Sequence, residues 1–240
     1  MRVSGQLPDA RVRPALSLQR WEHLTFVHWR YPAEVLWPFV PRGLALQVLD
    51  GDAWVGLTPF VLGGLRVPGV PPVPRWSTFV EINLRTYVTD ARHDGVLFLR
   101  VHCARRAVVA LFRAGLGLPY GYVPGVAGAT AGQATYAAAG TRGEVEVGAP
   151  LAPDGLVASL TGRWSAFTRH AGAVWRIPVE HDPWPLHQAR LVSLRTDLFA
   201  RAGLPDPVGD AVVHFSPGVH VRIGAPRPAA VLPHRSTAPL

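Results

Sequence analysis

The chain has 240 residues, 48% hydrophobic and 17% charged, with 24 glycines and 24 prolines, enough apolar material for one large domain or two small ones and a bias toward turns and short strands. Its net charge of +8 rests on 24 basic residues, all arginine and scattered along the chain, which argues against the clustered basic stripe of a nucleic-acid binder. The absence of lysine removes every side chain able to form a Schiff base with a carbonyl substrate.

No apolar run of about 18 residues marks a membrane span. The basic first twenty residues lack the apolar core of a secretory signal, and the expected compartment is the cytoplasm. The single cysteine, Cys103, excludes an intrachain disulfide and a thiolate zinc cluster.

Residues 1–16 carry few apolar anchors and are expected to form a flexible N-terminus. Residues 18–29 alternate as a strand, with Leu24, Phe26 and His28 on one face and His23, Thr25, Val27 and Trp29 on the other. Pro32 opens a short helix over 33–39, which Val40-Pro41-Arg42-Gly43 stops. Residues 44–49 and 53–62 read as strands joined by the turn Asp50-Gly51-Asp52. A Gly/Pro-rich loop over 63–74 is long enough to act as a rim or lid.

The strand over 76–89 is the most informative segment. One face carries Val80, Ile82, Leu84 and Val88, with Thr86 among them; the other carries Phe79, Glu81, Asn83, Arg85 and Tyr87. A half-exposed strand would show its polar face to water. Here, however, aromatics bracket the charges, and Glu81 and Arg85 sit four apart with Asn83 between them, a row able to bind and polarise a small polar molecule.

A strand follows over 96–103. The clearest helix spans 104–116, with Ala107, Val108, Leu111 and Phe112 on its apolar face and Gly115 and Gly117 at its end. After a turn at 118–121 come a weak hairpin (133–139 and 144–147) and a segment, 156–170, that reads as strand or helix. Strands are expected over 173–179, 186–194, 211–215 and 219–223, and a short helix over 196–202. The last two strands flank Ser216-Pro217-Gly218, a turn that would set His214 opposite His220. Residues 225–240 read as a disordered tail.

Many short-spaced strands and few helices indicate a mostly β (α+β) fold: one domain over 17–224 holding an antiparallel barrel, closed or nearly so. Alternate residues of a barrel strand point inward. The Glu81 row would then line a cavity, while Val80, Ile82 and Leu84 pack against an outer helix, for which 104–116 is the natural candidate.

The ten histidines form no His-x-x-x-His pair beside a glutamate, and no third ligand joins His214 and His220, so neither a metal nor another cofactor is expected. Cys103 lies near His102, Arg105 and Arg106 at a helix start, a setting that lowers a thiol pKa; it can equally be a small core residue. No Gly-x-Ser-x-Gly elbow, Walker loop or dinucleotide fingerprint is present. Glu81 remains the best candidate for chemistry. Burial would raise its pKa and Arg85 would lower it, and a carboxyl so poised suits proton transfer. Arg85 could hold a carboxylate or a developing oxyanion. A structural Glu81–Arg85 ion pair is the alternative.

The motifs His28-Trp29, Val40-Pro41-Arg42-Gly43-Leu44, Asp50-Gly51-Asp52-Ala53-Trp54-Val55-Gly56-Leu57, the strand from Phe79 to Val88, Leu118-Pro119-Tyr120 and His181-Asp182-Pro183-Trp184-Pro185-Leu186 together resemble the YqjF-like bacterial family of uncharacterised proteins. They span about residues 20 to 190. That family is distantly similar to acetoacetate decarboxylase, and the resemblance implies a cone-like, mostly antiparallel β barrel with a few flanking helices. It puts Glu81, in Phe79-Val80-Glu81, where the decarboxylase has an active-site glutamate. It puts Tyr120, in Pro119-Tyr120-Gly121, where the decarboxylase has its Schiff-base lysine. Arg20 lies near the arginine of the decarboxylase's first strand, in a register that the sequence does not fix.

A phenol forms no imine, but it donates a hydrogen bond or a proton. Glu81 and Tyr120 are therefore the candidate catalytic residues, and Arg85, Asn83, Tyr87, His28 and Trp54 the candidate substrate-binding residues. One reading is a lyase- or isomerase-type enzyme acting on a small oxo-acid or related carbonyl compound without Schiff-base chemistry. The other is a non-catalytic binding protein for a hydrophobic small molecule. The expected partner is a small-molecule ligand, with neither nucleic acid nor membrane; the sequence is compatible with a homo-oligomer.

Overall fold

Strands buried on both faces must lie between two packed layers, and the computed structural model, which describes residues 7, 8 and 10–232, places the Glu81 segment in that position. In chain order the elements are β1 (Ala15–Tyr31), α1 (Ala33–Leu36), a 3-10 turn (Trp37–Phe39), β2 (Ala45–Leu46), β3 (Ala53–Arg66), β4 (Phe79–Thr89) and β5 (Asp94–Cys103). Next come α2 (Arg106–Leu116), β6 (Tyr120–Tyr122), β7 (Gly125–Thr130), β8 (Gln133–Ala138), β9 (Thr141–Pro150) and α3 (Gly155–Thr161). The chain finishes with β10 (Ser165–His170), β11 (Ala173–His181), β12 (His187–Thr196), α4 (Leu198–Ala202), β13 (Val212–Gly224) and β14 (Arg227–Pro228).

Seven strands close into a barrel in the order β11-β10-β5-β4-β3-β1-β13, sealed by the antiparallel pairing of β13 back onto β11. All neighbours in the ring are antiparallel except β10 and β5. From β13 the sheet runs on through β12, β9, β8 and β7 as a wing. No helix among the described residues is long and apolar enough to cross a membrane.

The two faces of β4 separate as their alternation requires. Val80, Ile82 and Leu84 point out of the barrel into a cluster with Leu57, Trp29, Leu36 of α1, and Leu198 and Phe199 of α4. The outer helices are therefore α1 and α4, not the segment 104–116. Helix α2 instead packs on the inner cluster through Val108, Val109 and Phe112. Its buried face is turned by about one residue from the expected one, leaving Leu111 65% exposed. The apolar stripe of this helix is wider than its contact, so docking rather than periodicity chooses which side is buried. Arg105 ties the helix start to the 67–78 loop, donating to the carbonyls of Trp76 at 2.8 Å and Thr78 at 3.0 Å.

Three other expectations change. Ser216-Pro217-Gly218 is not a turn: β13 runs straight through it, paired with β1 on both sides. Proline cannot donate to a ladder, and the strands accommodate it by distortion, with His23 at φ 52 and Gly218 at φ 138. His214 and His220 consequently do not face each other across a hairpin. The strand expected over 44–49 shrinks to β2, which pairs with β4, although Asp50 and Gly51 do take the positive φ values of a tight turn. Segment 156–170 is helix then strand: Asp154 caps α3 by accepting from Val157 N at 2.8 Å, and β10 follows.

Part of the expected disordered tail is docked. β14 pairs with β11, Ala230 N donates to Asp90 Oδ2 at 2.9 Å, and Leu232 N donates to the Gly43 carbonyl at 2.8 Å. Within the expected flexible N-terminus, Val12 is buried and donates to Glu180 Oε2. In both segments backbone donors find fixed acceptors, which composition alone does not disclose. Residues 1–6, 9 and 233–240 lie outside the described residues.

Candidate functional site

The inward row of β4 borders an internal cavity of about 110 Å³. Glu81, Asn83 and Arg85 form one wall; Thr58, Gln19, Trp21, Tyr120, Arg163 and His181 supply the other polar and aromatic edges, and Phe112 and Leu116 of α2 cover it. A void of this size is large enough for several waters or one small organic molecule.

Strand pairing brings Glu81 and Tyr120 together. Glu81 lies opposite Cys103 on β5, and β6 runs parallel to β5 with Tyr120 beside Val101. Across these three adjacent strands the Tyr120 hydroxyl donates to Glu81 Oε2 at 3.2 Å. Phe112 meets the Tyr120 ring edge-on at 5.0 Å and fixes its plane. Thr58 Oγ1 donates to Asn83 Oδ1, which leaves the Asn83 amide N–H groups for Glu81.

Glu81 is 4% exposed. Burial pushes its carboxyl up to about 8, although the hydrogen bonds from Tyr120 and Asn83 pull the other way. Burial and the neighbouring Glu81 hold the Tyr120 hydroxyl well above the usual phenol range. Near neutrality the pair is thus a mostly protonated acid beside a phenol that keeps its proton.

No ion pair joins Glu81 to Arg85 among the described residues, so the structural alternative fails. Arg85 Nη2 donates to the Leu160 carbonyl at 3.3 Å, and its guanidinium lies 5.5 Å from the Phe26 ring and 5.7 Å from the Tyr87 ring. Arg85 is also not among the groups that set the proton affinity of Glu81.

Of the other expected binding residues, Asn83 lines the cavity, whereas Tyr87, His28 and Trp54 do not. They fill the barrel interior beside it. The Tyr87 hydroxyl and His28 Nε2 share a 2.6 Å hydrogen bond, and Trp54 Nε1 donates to the Leu49 carbonyl at 3.0 Å. Burial, then the Arg85 charge, holds His28 well below the usual imidazole range. Arg20 pairs with Glu22 at 3.0 Å on the surface, its side chain 48% exposed.

The sequence does not single out two titratable residues of the cavity, Arg163 and His181. Arg163 follows α3 in the segment whose structure was ambiguous, and its guanidinium lies 4.7 Å from the Tyr87 ring centroid. Burial pulls it down to about 10. His181 belongs to the His-Asp-Pro-Trp-Pro-Leu motif. Its ring packs at a tilt against Trp164 and Trp184, with centroids 4.4 and 4.7 Å away, and its Nδ1 bonds to the Asp182 carbonyl at 2.6 Å. Burial pushes it down to about 4, so it is neutral at physiological pH.

The cationic surroundings of Cys103 do not activate it. The thiol is buried, and burial, then Glu81, pushes it up to about 12. A disulfide-exchange reagent at pH 8 should label it only after denaturation; rapid labelling of native protein would contradict this environment. Among the described residues, no three or more His, Cys, Asp or Glu side chains cluster in a way that could hold a metal ion.

YqjF of Bacillus subtilis (strain 168), an uncharacterized protein, is 29% identical over 210 residues, covering 82% of this chain and 86% of YqjF. Among solved structures, the enduracididine biosynthesis enzyme MppR with bound HEPES superposes with a TM-score of 0.64 at 10% identity, over 93% of this chain and 91% of that one. An acetoacetate decarboxylase-like enzyme from Sphingomonas wittichii RW1 gives 0.60 at 15% identity, over 94% and 98%. Acetoacetate decarboxylase of Legionella pneumophila gives 0.61 at 10%, over 93% and 90%. Identities this low establish the fold alone: a barrel of the acetoacetate decarboxylase type. Residues 18–220 match DUF2071, described as an uncharacterized conserved protein, and the chain belongs to that family.

Proposed function

We propose that this protein is an acid/base enzyme that moves a proton on a small oxo-acid or related carbonyl compound without forming a Schiff base. The observation that carries this reading is the Tyr120–Glu81 hydrogen bond at the wall of a cavity in the barrel interior. Tyr120, its proton retained, donates to the substrate carbonyl oxygen. The ionised fraction of Glu81 takes a proton from the adjacent carbon, the electron pair moves onto the oxygen, and a proton returns to give product. Isomerisation and dehydration both proceed through such an enol. Structures of MppR with pyruvate, and with the condensation product of pyruvate and imidazole 4-carboxaldehyde, lend support from a protein of the same fold.

The imine route has no side-chain amine, since all 24 basic residues are arginine. Borohydride reduction in the presence of pyruvate is expected to leave every side chain unmodified by mass spectrometry. A stable adduct on an internal residue would contradict the reading; the N-terminal amine is the one legitimate source.

The second reading, a carrier or sensor for a hydrophobic molecule, draws on the apolar part of the lining, where Leu24, Phe60, Leu62, Phe98 and Ile177 stand. A metabolite screen on wild type and Glu81→Gln separates the two. Binding without turnover, equal in both proteins, supports the carrier; turnover that Glu81→Gln abolishes supports the enzyme.

A further inference from the structure

Two guanidinium groups are buried in the cavity wall without an ion pair among the described residues. Arg85 is 8% exposed and Arg163 5%. Arg85 donates to the Leu160 carbonyl and Arg163 to Gln47 Oε1. Arg85 Nε, Arg163 Nε and Arg163 Nη2 are buried without a hydrogen-bond partner among the described residues. A buried charge without a partner is costly. Here there are two, both against the Tyr87 ring; Tyr87 and Asp94 favour the Arg163 charge, and Arg85 opposes it. A ligand that supplies negative charge would relieve both.

This cationic region is separate from the acid/base pair. Arg85 lies four residues from Glu81 along β4, about 13 Å of strand. The Arg85 charge bears on His28, His181 and Arg163, whereas Glu81 responds to burial, Tyr120 and Asn83.

We propose that Arg85 and Arg163 form a carboxylate subsite, and that the substrate is a short oxo-acid held there with its carboxylate several bonds from the carbon on which Glu81 and Tyr120 act. The carboxylate is then a handle kept in the product. Loss of CO₂ would draw electrons out of a carboxylate that two guanidiniums stabilise in the ground state, and so raise the barrier. Proton abstraction beside a remote carbonyl leaves those contacts intact: the C–H proton passes to the Glu81 carboxylate, the electron pair to an enolate oxygen bonded by Tyr120, and a proton comes back to carbon. This deepens the reading above and rests on it for Glu81, but not for the anion.

The test uses 4-oxopentanoate, its methyl ester as the uncharged counterpart, and acetoacetate. Calorimetric titration of the wild type is expected to show the acid binding about tenfold or more tighter than the ester, and Arg85→Met and Arg163→Met should each weaken the acid by about tenfold or more. Proton NMR in D₂O should show exchange beside the ketone with the carboxylate retained, and acetoacetate should lose CO₂ no faster than in buffer. Equal binding of acid and ester, no binding of either, or unchanged binding in folded arginine variants overturns the subsite. Accelerated CO₂ release overturns the handle. Preference for the acid without exchange overturns the proton-transfer reading and leaves the subsite standing. Each variant removes an unpaired buried charge, so its melting temperature should hold or rise; should one not fold, the acid–ester comparison on the wild type decides.

Discussion

Glu81→Gln should abolish proton exchange on bound ligand and, in the same protein, raise thermal stability at alkaline pH. The first effect follows from chemistry: an amide keeps the shape of the carboxyl and still accepts from Tyr120, but it cannot take a proton from carbon. The second follows from linkage. In the fold the Glu81 carboxyl binds its proton at about 8, against 4.5 for an unperturbed glutamate. The folded state therefore holds more protons than the unfolded chain between these values. The stabilisation from this group is fully present below about pH 4.5, is lost progressively up to about pH 8, and falls no further beyond. The loss is on the order of 3–5 kcal/mol, a difference on the order of 10 °C in melting temperature for a chain of this size. Melting curves of both proteins from pH 5 to 9 should diverge as pH rises, with the variant above the wild type. Parallel curves would mean that Glu81 is not buried as described.

Gly218→Ala should be the most damaging single methyl group in the barrel. Gly218 lies within β13, opposite Glu22 of β1, at φ 138, where residues bearing a side chain are strained. A Cβ there would stand 2.2 Å from the Trp21 carbonyl oxygen and 3.0 Å from Glu22 Cα. Both obstacles are backbone, so neither can rotate away, and the two strands that must separate help close the ring. The expected cost is about 3 kcal/mol or more, seen as a melting temperature lowered on the order of 10 °C or as insoluble protein. Gly115→Ala provides the contrast. That glycine is in α2 with open space around its would-be Cβ, so alanine should stabilise by up to ~1 kcal/mol. A Gly218→Ala protein as stable as the wild type would show that β13 does not run through this position as described.

What could be read from the chain, and what could not, divides by locality. The two faces of β4 were legible because a period of two residues is a local property, and burial on both sides confirms the division. The barrel was legible from strand spacing, and its type from the resemblance. Depth was not legible. Alternation sends Glu81, Asn83, Arg85 and Tyr87 to the same interior, yet Tyr87 sits with His28 and Trp54 in the part that is filled, and only strand packing decides that. Arg163 was missed because its place depends on the parallel pairing of β10 with β5, a contact across some seventy residues of chain. The disposition of α2 was misjudged for a related reason. A helix with an apolar stripe can cover either side of a sheet, and here the outer side is taken by α4, which arrives late in the sequence.

The proposed chemistry depends on one protonation equilibrium. Carbon-13 NMR of protein labelled at glutamate side-chain carboxyls gives six resonances for six glutamates, and the one missing from Glu81→Gln identifies residue 81. That resonance should titrate with a midpoint near 8. A midpoint in the ordinary glutamate range, close to 4.5, would place the carboxylate in water and contradict the proposed chemistry.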